Sequence, residues 1–326
     1  MSQVWDNEPG MVLVMGVTGS GKSRFVNLLK GGAAEEGDGL SSVTQQCQIV
    51  RVRIGSELAY VVDTPGFDDT TRSDADIFEE ITNFLGTQYA LGLALKGIIF
   101  LHRITDMRIQ GSTLSNMIAF KEMCGDNALK SVILLTTFWD VLGDKSLGAR
   151  RQQELREDFW SDMIAKGSQV RRFDGSRDMA EALVMRLVDK PPIVLQIQCD
   201  IMLQGKRLED TSVGKRIVTR LERSLLEKDK ELEEVQKQIS GISNIRLSRD
   251  LRQLEDRLEK ILRQRERIYA SRQKLKATLG PEINAKVERQ KGSSVVKDKI
   301  EFFATLLGLT MSVTTNIILP LLSIGF

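Results

Sequence analysis

Residues 11–23 read MVLVMGVTGSGKS. Met11 to Met15 are an apolar run of the kind that makes a short buried strand, and Gly16, Gly21, Lys22 and Ser23 then fill the pattern G-x-x-x-x-G-K-S/T. The chemistry of a polyphosphate dictates these residue types. Glycines let the backbone curl until successive N–H groups point at phosphate oxygens, and a helix beginning near Lys22 turns its positive end toward the same anion. Lys22 carries the charge for the β and γ phosphates, and the Ser23 hydroxyl is suited to the shell of a bound Mg²⁺. Thr18, Gly19, Ser20 and Arg24 complete the set expected to touch the nucleotide. Phe25, Val26, Leu28 and Leu29 supply the apolar side of the helix that follows.

The chain has 326 residues, enough for one ordinary domain with a substantial appendage. With 46 basic against 44 acidic side chains interspersed, a nucleic-acid-binding surface is not expected. Three widely spaced cysteines, Cys47, Cys124 and Cys199, suggest a reducing compartment and form no zinc pattern. The single histidine, His102, ends an apolar strand and reads as structural. The first ten residues, MSQVWDNEPG, lack the basic and apolar regions of a secretory signal.

Beyond the first helix, Gly31 to Gly39 is a glycine-rich acidic loop. Cys47–Ile54 and Leu58–Val62 are strands joined through Gly55 and Ser56, so a hairpin is expected. Helices over Ser73–Leu85, Ser112–Met123, Leu147–Met163 and Met179–Val188 alternate with strands over Gly97–His102, Ser131–Thr136 and Gln169–Phe173. That alternation marks a doubly wound α/β sheet. The domain is expected over 8–190, followed by a bridging helix and linker over 191–214.

From Val218 to Ile242 apolar residues recur at spacings of three and four, a heptad seam interrupted at Lys228. A second seam runs from Leu247 to Leu279, out of phase with the first across Ser240-Gly241-Ile242-Ser243-Asn244. Two antiparallel helices over 215–290 are the reading adopted; a kinked helix pairing with a second chain is the other. Gly280-Pro281 reads as the end of the second arm. Phe302 to Phe326 contains no charged residue and is longer than the roughly twenty needed to span a bilayer. Polar Ser, Thr and Asn residues leave two readings for a helix over 300–326, a membrane anchor or a buried terminal helix.

Asp63-Thr64-Pro65-Gly66 fits D-x-x-G at the end of a strand, about forty residues after Lys22. There Asp63 can hold Mg²⁺ through water, and the Gly66 N–H can reach a γ-phosphate. In the loop before the hairpin, Thr44 is the hydroxyl chosen to close on Mg²⁺ and the triphosphate, with Ser42 as the alternative. Lys22, Thr44 and Gly66 are therefore the candidate catalytic residues, and Ser23, Thr44 and Asp63 the candidate metal ligands.

G-V-T-G-S-G-K-S at 16–23, S-S-V-T-Q-Q-C at 41–47 and D-T-P-G-F at 63–67 resemble the translation-factor-related class of P-loop GTPases. The nearest branch is the septin-like one that holds the immunity-associated GTPases and the chloroplast import receptors. L-H-R-I-T-D-M-R-I-Q-G-S at 101–112 and L-L-T-T-F-W-D at 134–140 look more narrowly like fungal G-domain proteins of that branch. The resemblance implies GTP or GDP with Mg²⁺. It also implies that Thr137, Trp139 and Asp140 stand where N/T-K-x-D reads guanine, with Asp140 accepting from the base. Phe138 replaces the lysine of that pattern, so a ring of Phe138 or Trp139 is left to cover the base, and an ATPase remains an alternative. Phe67 replaces a water-orienting glutamine, which implies slow hydrolysis assisted by dimerisation or by another group, with Asp68, Asp69 and His102 as candidates.

The expectation is a Ras-like α/β G domain with a helical hairpin and an apolar tail, acting as a GTP-dependent switch. Self-association through the G domain or the hairpin is expected, in a cytoplasmic setting, with the tail open to membrane contact over 302–326. The rival from another class is an assembly protein in which the nucleotide stays bound as part of the fold.

Overall fold

The computed structural model describes residues 9–30, 46–69, 72–107, 109, 111–241, 248–291, 298–309 and 311–313. Strand β1 (Gly10–Gly16) sits inside the sheet, with its residues alternating between two apolar cores. Met11, Leu13 and Met15 enter one core, and Val12 and Val14 the other. A strand covered on both faces has no place for a polar side chain, which explains the uninterrupted run.

In chain order there follow α1 (Lys22–Leu29), the hairpin of β2 (Gln48–Ile54) and β3 (Glu57–Asp63), α2 (Asp74–Ala90), β4 (Leu95–Arg103) and α3 (Gly111–Cys124). Then come β5 (Val132–Thr137), α4 (Lys145–Glu154), α5 (Ser161–Ala165), β6 (Gln169–Arg172) and α6 (Arg177–Val188). The sheet continues outward from β1 through β4, β5 and β6 on one side and β3 and β2 on the other. Only the β2–β3 pair is antiparallel within this set, in register from Gln48 opposite Asp63 to Ile54 opposite Glu57. Helices α1 and α6 cover one face through Phe25, Leu29, Leu183 and Leu187, while α2 and α3 cover the other.

The second half of the chain is α7 (Gln196–Gln198), α8 (Ser212–Ser240), α9 (Ser248–Lys274), α10 (Leu279–Lys291), α11 (Lys299–Leu307) and β7 (Met311–Val313). Helices α8 and α9 pack against each other within one chain, with Val235 and Ile261 buried and Arg265 Nε 2.8 Å from Asp229 Oδ1. The hairpin therefore forms, with the expected phase break between Ser240 and Ser248; residues 242–247 lie outside the described ones.

Three expectations need correction. The second arm ends at Lys274, and Gly280-Pro281 falls in the first turn of α10. Proline is tolerated there because the first helical N–H groups have no partner inside the helix. Glycine is needed beside it because a Cβ would stand 2.1 Å from the Ile201 carbonyl oxygen.

The apolar tail is not one helix over 300–326. Helix α11 stops at Leu307, before the left-handed Gly308 (φ 66°), and β7 then pairs with β2, Ile49 opposite Met311. Ile300, Phe303 and Leu306 are buried in the same core as β1, and the Phe303 ring meets Phe84 of α2 edge-on at 4.9 Å. The buried reading thus describes the start of this segment. No described helix is long and apolar enough to cross a membrane.

Residue 190 is also not where the core ends. Leu195, Ile201, Val213, Ile217, Leu275 and Ile283 share the apolar cluster of Met11 and Phe78.

Candidate functional site

At the end of β1 the chain turns through Gly16, Gly19 and Gly21, all with positive φ (146°, 76° and 93°). At Gly16 a Cβ would stand 2.4 Å from the Leu101 carbonyl oxygen, so only glycine lets the turn lie against β4. Helix α1 begins directly afterward, and no side chain caps its first N–H groups. An uncapped helix start below a curl of glycines is a cradle for an anion.

Lys22 is only 6% exposed. Its Nζ donates to the carbonyls of Gly16 (3.2 Å) and Val17 (3.0 Å), folding the ammonium back across the loop. Burial lowers its pKa to about 8, against the opposing pull of Asp63 and Asp69. A cation held in a dry loop at that cost is stabilised by an incoming anion.

Asp63 ends β3 beside β1, opposite Val14. Its Oδ2 accepts from Ser23 Oγ at 2.7 Å. Thr64 is tied down next to it, its Oγ1 donating to the Val14 carbonyl at 2.9 Å. A Cβ on Gly66 would stand 2.6 Å from Thr18 Oγ1 and 2.7 Å from Lys22 Nζ, so the D-x-x-G glycine lies directly against the P-loop lysine. The Thr18 N–H donates to the Phe67 carbonyl at 2.9 Å, and the two motifs are thereby stitched backbone to backbone.

The residues present fit a Mg²⁺-nucleotide. A hydroxyl and a carboxylate meet at the head of the loop, and an ammonium and a close-packed glycine stand where terminal phosphates would lie. Among the described residues no cluster of three or more His, Cys, Asp or Glu could hold a metal alone. Mg²⁺ suits such a sparse protein shell, because phosphate oxygens and water complete it. Thr44, with Ser42, lies outside the described residues.

Phe67 is buried and pairs with Val17. It serves the core and offers nothing to water. Asp68 has a left-handed backbone (φ 63°) and accepts from Ser112 Oγ at 2.9 Å, and Asp69 accepts from the Arg72 N–H at 3.3 Å. His102 is buried edge-on to Trp160, and burial takes its pKa down to about 4. Its structural reading agrees with that setting.

The base end differs from expectation. Thr137 is buried, its Oγ1 donating to the carbonyls of Ser20 (2.9 Å) and His102 (3.3 Å); it braces the P-loop against β5 and β4. Trp139 Nε1 donates to Thr136 Oγ1 at 2.9 Å, and the Arg172 guanidinium carbon lies 4.4 Å from its ring centroid. A Cβ on Gly148 would meet the same ring at 2.8 Å. Trp139 is therefore clamped into the body of the domain and is not laid over a base.

Phe138 is the ring that reaches the loop. With φ 60° it projects to Gly21, where a Cβ would stand 3.4 Å from the ring. Asp140, its side chain 57% exposed, lies 3.6 Å from Arg24 Nη2. The same Arg24 atom is 3.6 Å from where a Cβ on Gly175 would stand, so Gly175 (φ 82°) joins Asp140 and Arg24 at this corner.

Sequence reasoning named the Phe138 ring as one of two that could cover the base, and it missed Gly175 and Arg103. Arg103 Nη1 stands 3.2 Å from the Cβ position of Gly19, and Arg103 pairs with Asp106 at 3.0 Å. Both line a cleft of about 670 Å³ with Thr18 and Asp68. A charged residue closing a strand as apolar as β4 was the available signal for Arg103.

The AIG1 family model matches residues 10–162. No curated protein matches the chain in sequence. Among solved structures, Toc33 from Arabidopsis thaliana in complex with GDP and Mg²⁺ is similar at 17% identity, over 58% of this chain and 88% of that one, with a TM-score of 0.46. A dimerization-deficient variant of Toc33 from the same plant aligns at 16% identity over 58% and 89%, TM-score 0.44. Era from Aquifex aeolicus, bound to GDP and AlF4−, aligns at 17% over 57% of this chain and 58% of that one, TM-score 0.40.

Proposed function

Taking residues 10–162 to be a P-loop GTPase domain of the AIG1 family, we propose that the chain is a guanine-nucleotide-binding switch that hydrolyses GTP slowly and is helped by self-association. The observation that carries this is the convergence of Lys22, Ser23, Asp63 and Gly66 from two separate motifs onto one point at the head of α1. In this reading the N–H groups of 18–23 hold the phosphates, Lys22 gives up its carbonyl contacts to neutralise them, and Asp140 with Arg24 accepts the base. Ser23, Asp63 and Thr44 are the groups proposed to hold Mg²⁺, which when bound neutralises charge on the β and γ phosphates. The Gly66 N–H and Thr44 report the γ-phosphate to the segments on either side of them.

Burial of Phe67 favours the slow, assisted form of the reaction. No side chain at that position can orient water, so the missing group is supplied by a second copy of the chain through the G domain or the hairpin. The same observation supports a second reading, an assembly protein whose nucleotide is a permanent part of the fold. Phe138 against Gly21 keeps the ATPase reading as a third, because a ring stacks on any purine. We also propose a cytoplasmic setting, with the uncharged residues 314–326 in contact with a membrane. Liposome flotation of the chain with and without those residues tests the last point.

Single-turnover GTP hydrolysis over a range of protein concentrations tests the function. A rate that rises with concentration is expected. No turnover at any concentration would leave the assembly reading, and unimpaired nucleotide binding by Lys22→Ala would defeat the nucleotide site itself.

A further inference from the structure

Helix α8 carries two kinds of face. Val213, Ile217 and Leu221 pack toward the core, whereas Ser212, Lys215, Arg216, Thr219, Arg220 and Arg223 recur at spacings of three and one along a different side. That side is largely open to solvent, with Ser212, Lys215, Thr219 and Arg223 exposed and Arg216 and Arg220 half-buried. It forms one wall of a groove of about 640 Å³, and Gly111, Ser112 and Ser115 in the first turns of α3 form the other.

Two of the four cations are held in place by carboxylates. Arg216 Nη2 lies 2.5 Å from Glu122 Oε1, and Arg220 Nη2 lies 2.5 Å from Asp74 Oδ2. Lys215 and Arg223, the flanking pair, make no ion pair among the described residues. A chain with net charge +2 has no general excess of base, so this concentration of cations in one concave place is local. With Glu122 and Asp74 offsetting two of the four cations, Lys215 and Arg223 leave the concave wall net positive, and such a wall draws in counter-ions. Hydroxyls of Ser112, Ser115 and Thr219 stand among the cations, and the positive end of α3 adds to the same field.

We propose that this groove binds a small ligand bearing several phosphate groups, separate from the nucleotide at the P-loop. Phosphate suits the donor set because guanidinium forks and an ammonium match its oxygens, with hydroxyls to complete the contacts. Several phosphates are required because the ligand must compete with Glu122 and Asp74 for Arg216 and Arg220. A single weak anion reaches only Lys215 and Arg223.

The groove is also next to the segment that follows D-T-P-G. Ser112 Oγ donates to Asp68, and Asp74, the partner of Arg220, accepts from the Asp68 N–H at 3.4 Å. A ligand that takes Ser112 and Arg220 therefore competes with Asp68 and Asp74 for them. The inference does not depend on which nucleotide the P-loop takes. The shared chemistry admits two sources, a soluble polyphosphate or the headgroup of a phosphorylated lipid.

The test is calorimetric titration of the 326-residue chain with inositol hexakisphosphate, in saturating GDP and Mg²⁺. Saturable binding is expected, unchanged in Lys22→Ala and weakened about tenfold or more in Lys215→Ser/Arg223→Ser, which removes two charge-assisted contacts and no ion pair of the fold. Absence of saturable binding, equal binding by the double variant, or loss in Lys22→Ala would each overturn the proposal. Co-sedimentation with phosphatidylcholine vesicles containing phosphatidylinositol 4,5-bisphosphate separates the sources. Retention of the wild type alone identifies a lipid headgroup, and calorimetric binding without retention identifies a soluble ligand.

Discussion

At the phosphate end of the cleft, Ser23 bonds Asp63 and Gly66 lies against Lys22, two contacts that join the P-loop to D-T-P-G; at the base end, Thr137, Phe138 and Asp140 reach the P-loop or α1, while Trp139 turns away into the body of the domain. The first arrangement comes from two strands, β1 and β3, paired in parallel so that Asp63 at the end of β3 lies opposite Val14, just before β1 gives way to the P-loop. The second comes from one short turn after β5 in which Phe138 takes a left-handed backbone. Sheet register fixes the relative positions of residues far apart in sequence. A turn with an unfavourable φ redirects each successive side chain, and its geometry depends on local sterics that a motif does not state. The lesson is that motif spacing is a good guide where strands deliver the residues and a poor one where a turn does.

The largest effect expected from breaking this contrast is at the phosphate end. Lys22→Ala should weaken nucleotide affinity by roughly a hundredfold, since charge-assisted contacts to two phosphates are lost together. Fluorescent-nucleotide titration measures it, and a change below about threefold would remove Lys22 from the site. Gly66→Ala should destabilise the nucleotide-free protein by about 1–3 kcal/mol, because the new methyl meets the Thr18 backbone and the Lys22 ammonium. Chemical denaturation reads this directly, and an unchanged midpoint would mean the two motifs are not packed as described.

At the base end, Phe138→Ala should weaken GTP and ATP about equally, by about fivefold, because stacking is blind to the edge of a base. A selective loss of GTP would instead make Phe138 a reader of guanine.

The smallest effect lies beneath the cleft and concerns His102. Its folded pKa of about 4 lies below the usual value of 6.5, so between those pH values the unfolded chain binds more protons and stability falls on acidification. The expected loss is about 1 kcal/mol between pH 6.5 and 5.5, absent in His102→Phe. Parallel slopes for the two proteins would contradict the buried, neutral imidazole.

Much of this was legible in the sequence for reasons that can be named. The apolar run of β1, the Gly55 turn of the β2–β3 hairpin and the offset seams of α8 and α9 each express a single periodicity with one break. Gly280-Pro281 misled because proline and glycine stop a helix in most settings, yet here they open one against the Ile201 carbonyl. The uncharged tail left two readings open, a membrane anchor or a buried helix, and Ile300 to Leu306 take the buried one. Composition cannot distinguish lipid from protein as the apolar surroundings of Phe303, and the body of the protein supplies them through Phe84. Sequence left the base-covering ring open between Phe138 and Trp139, because the motif allows either position, and it is the Trp139 ring that is held elsewhere. Arg172 and Gly148, which claim that ring, come from other elements and carry no local signal.

The contacts of α8, α10 and α11 with the core also determine how the central claim is measured. A fragment ending near residue 200 would expose the partners of Val213, Ile283 and Phe303, so the 326-residue chain is the proper sample. Competition among GTP, GDP and ATP in the presence of Mg²⁺, on wild type and Asp140→Ala, tests the account most directly. It predicts a preference for the guanine nucleotides in wild type that disappears in the variant. ATP bound as tightly as GTP by the wild type, or a guanine preference untouched by Asp140→Ala, would contradict it.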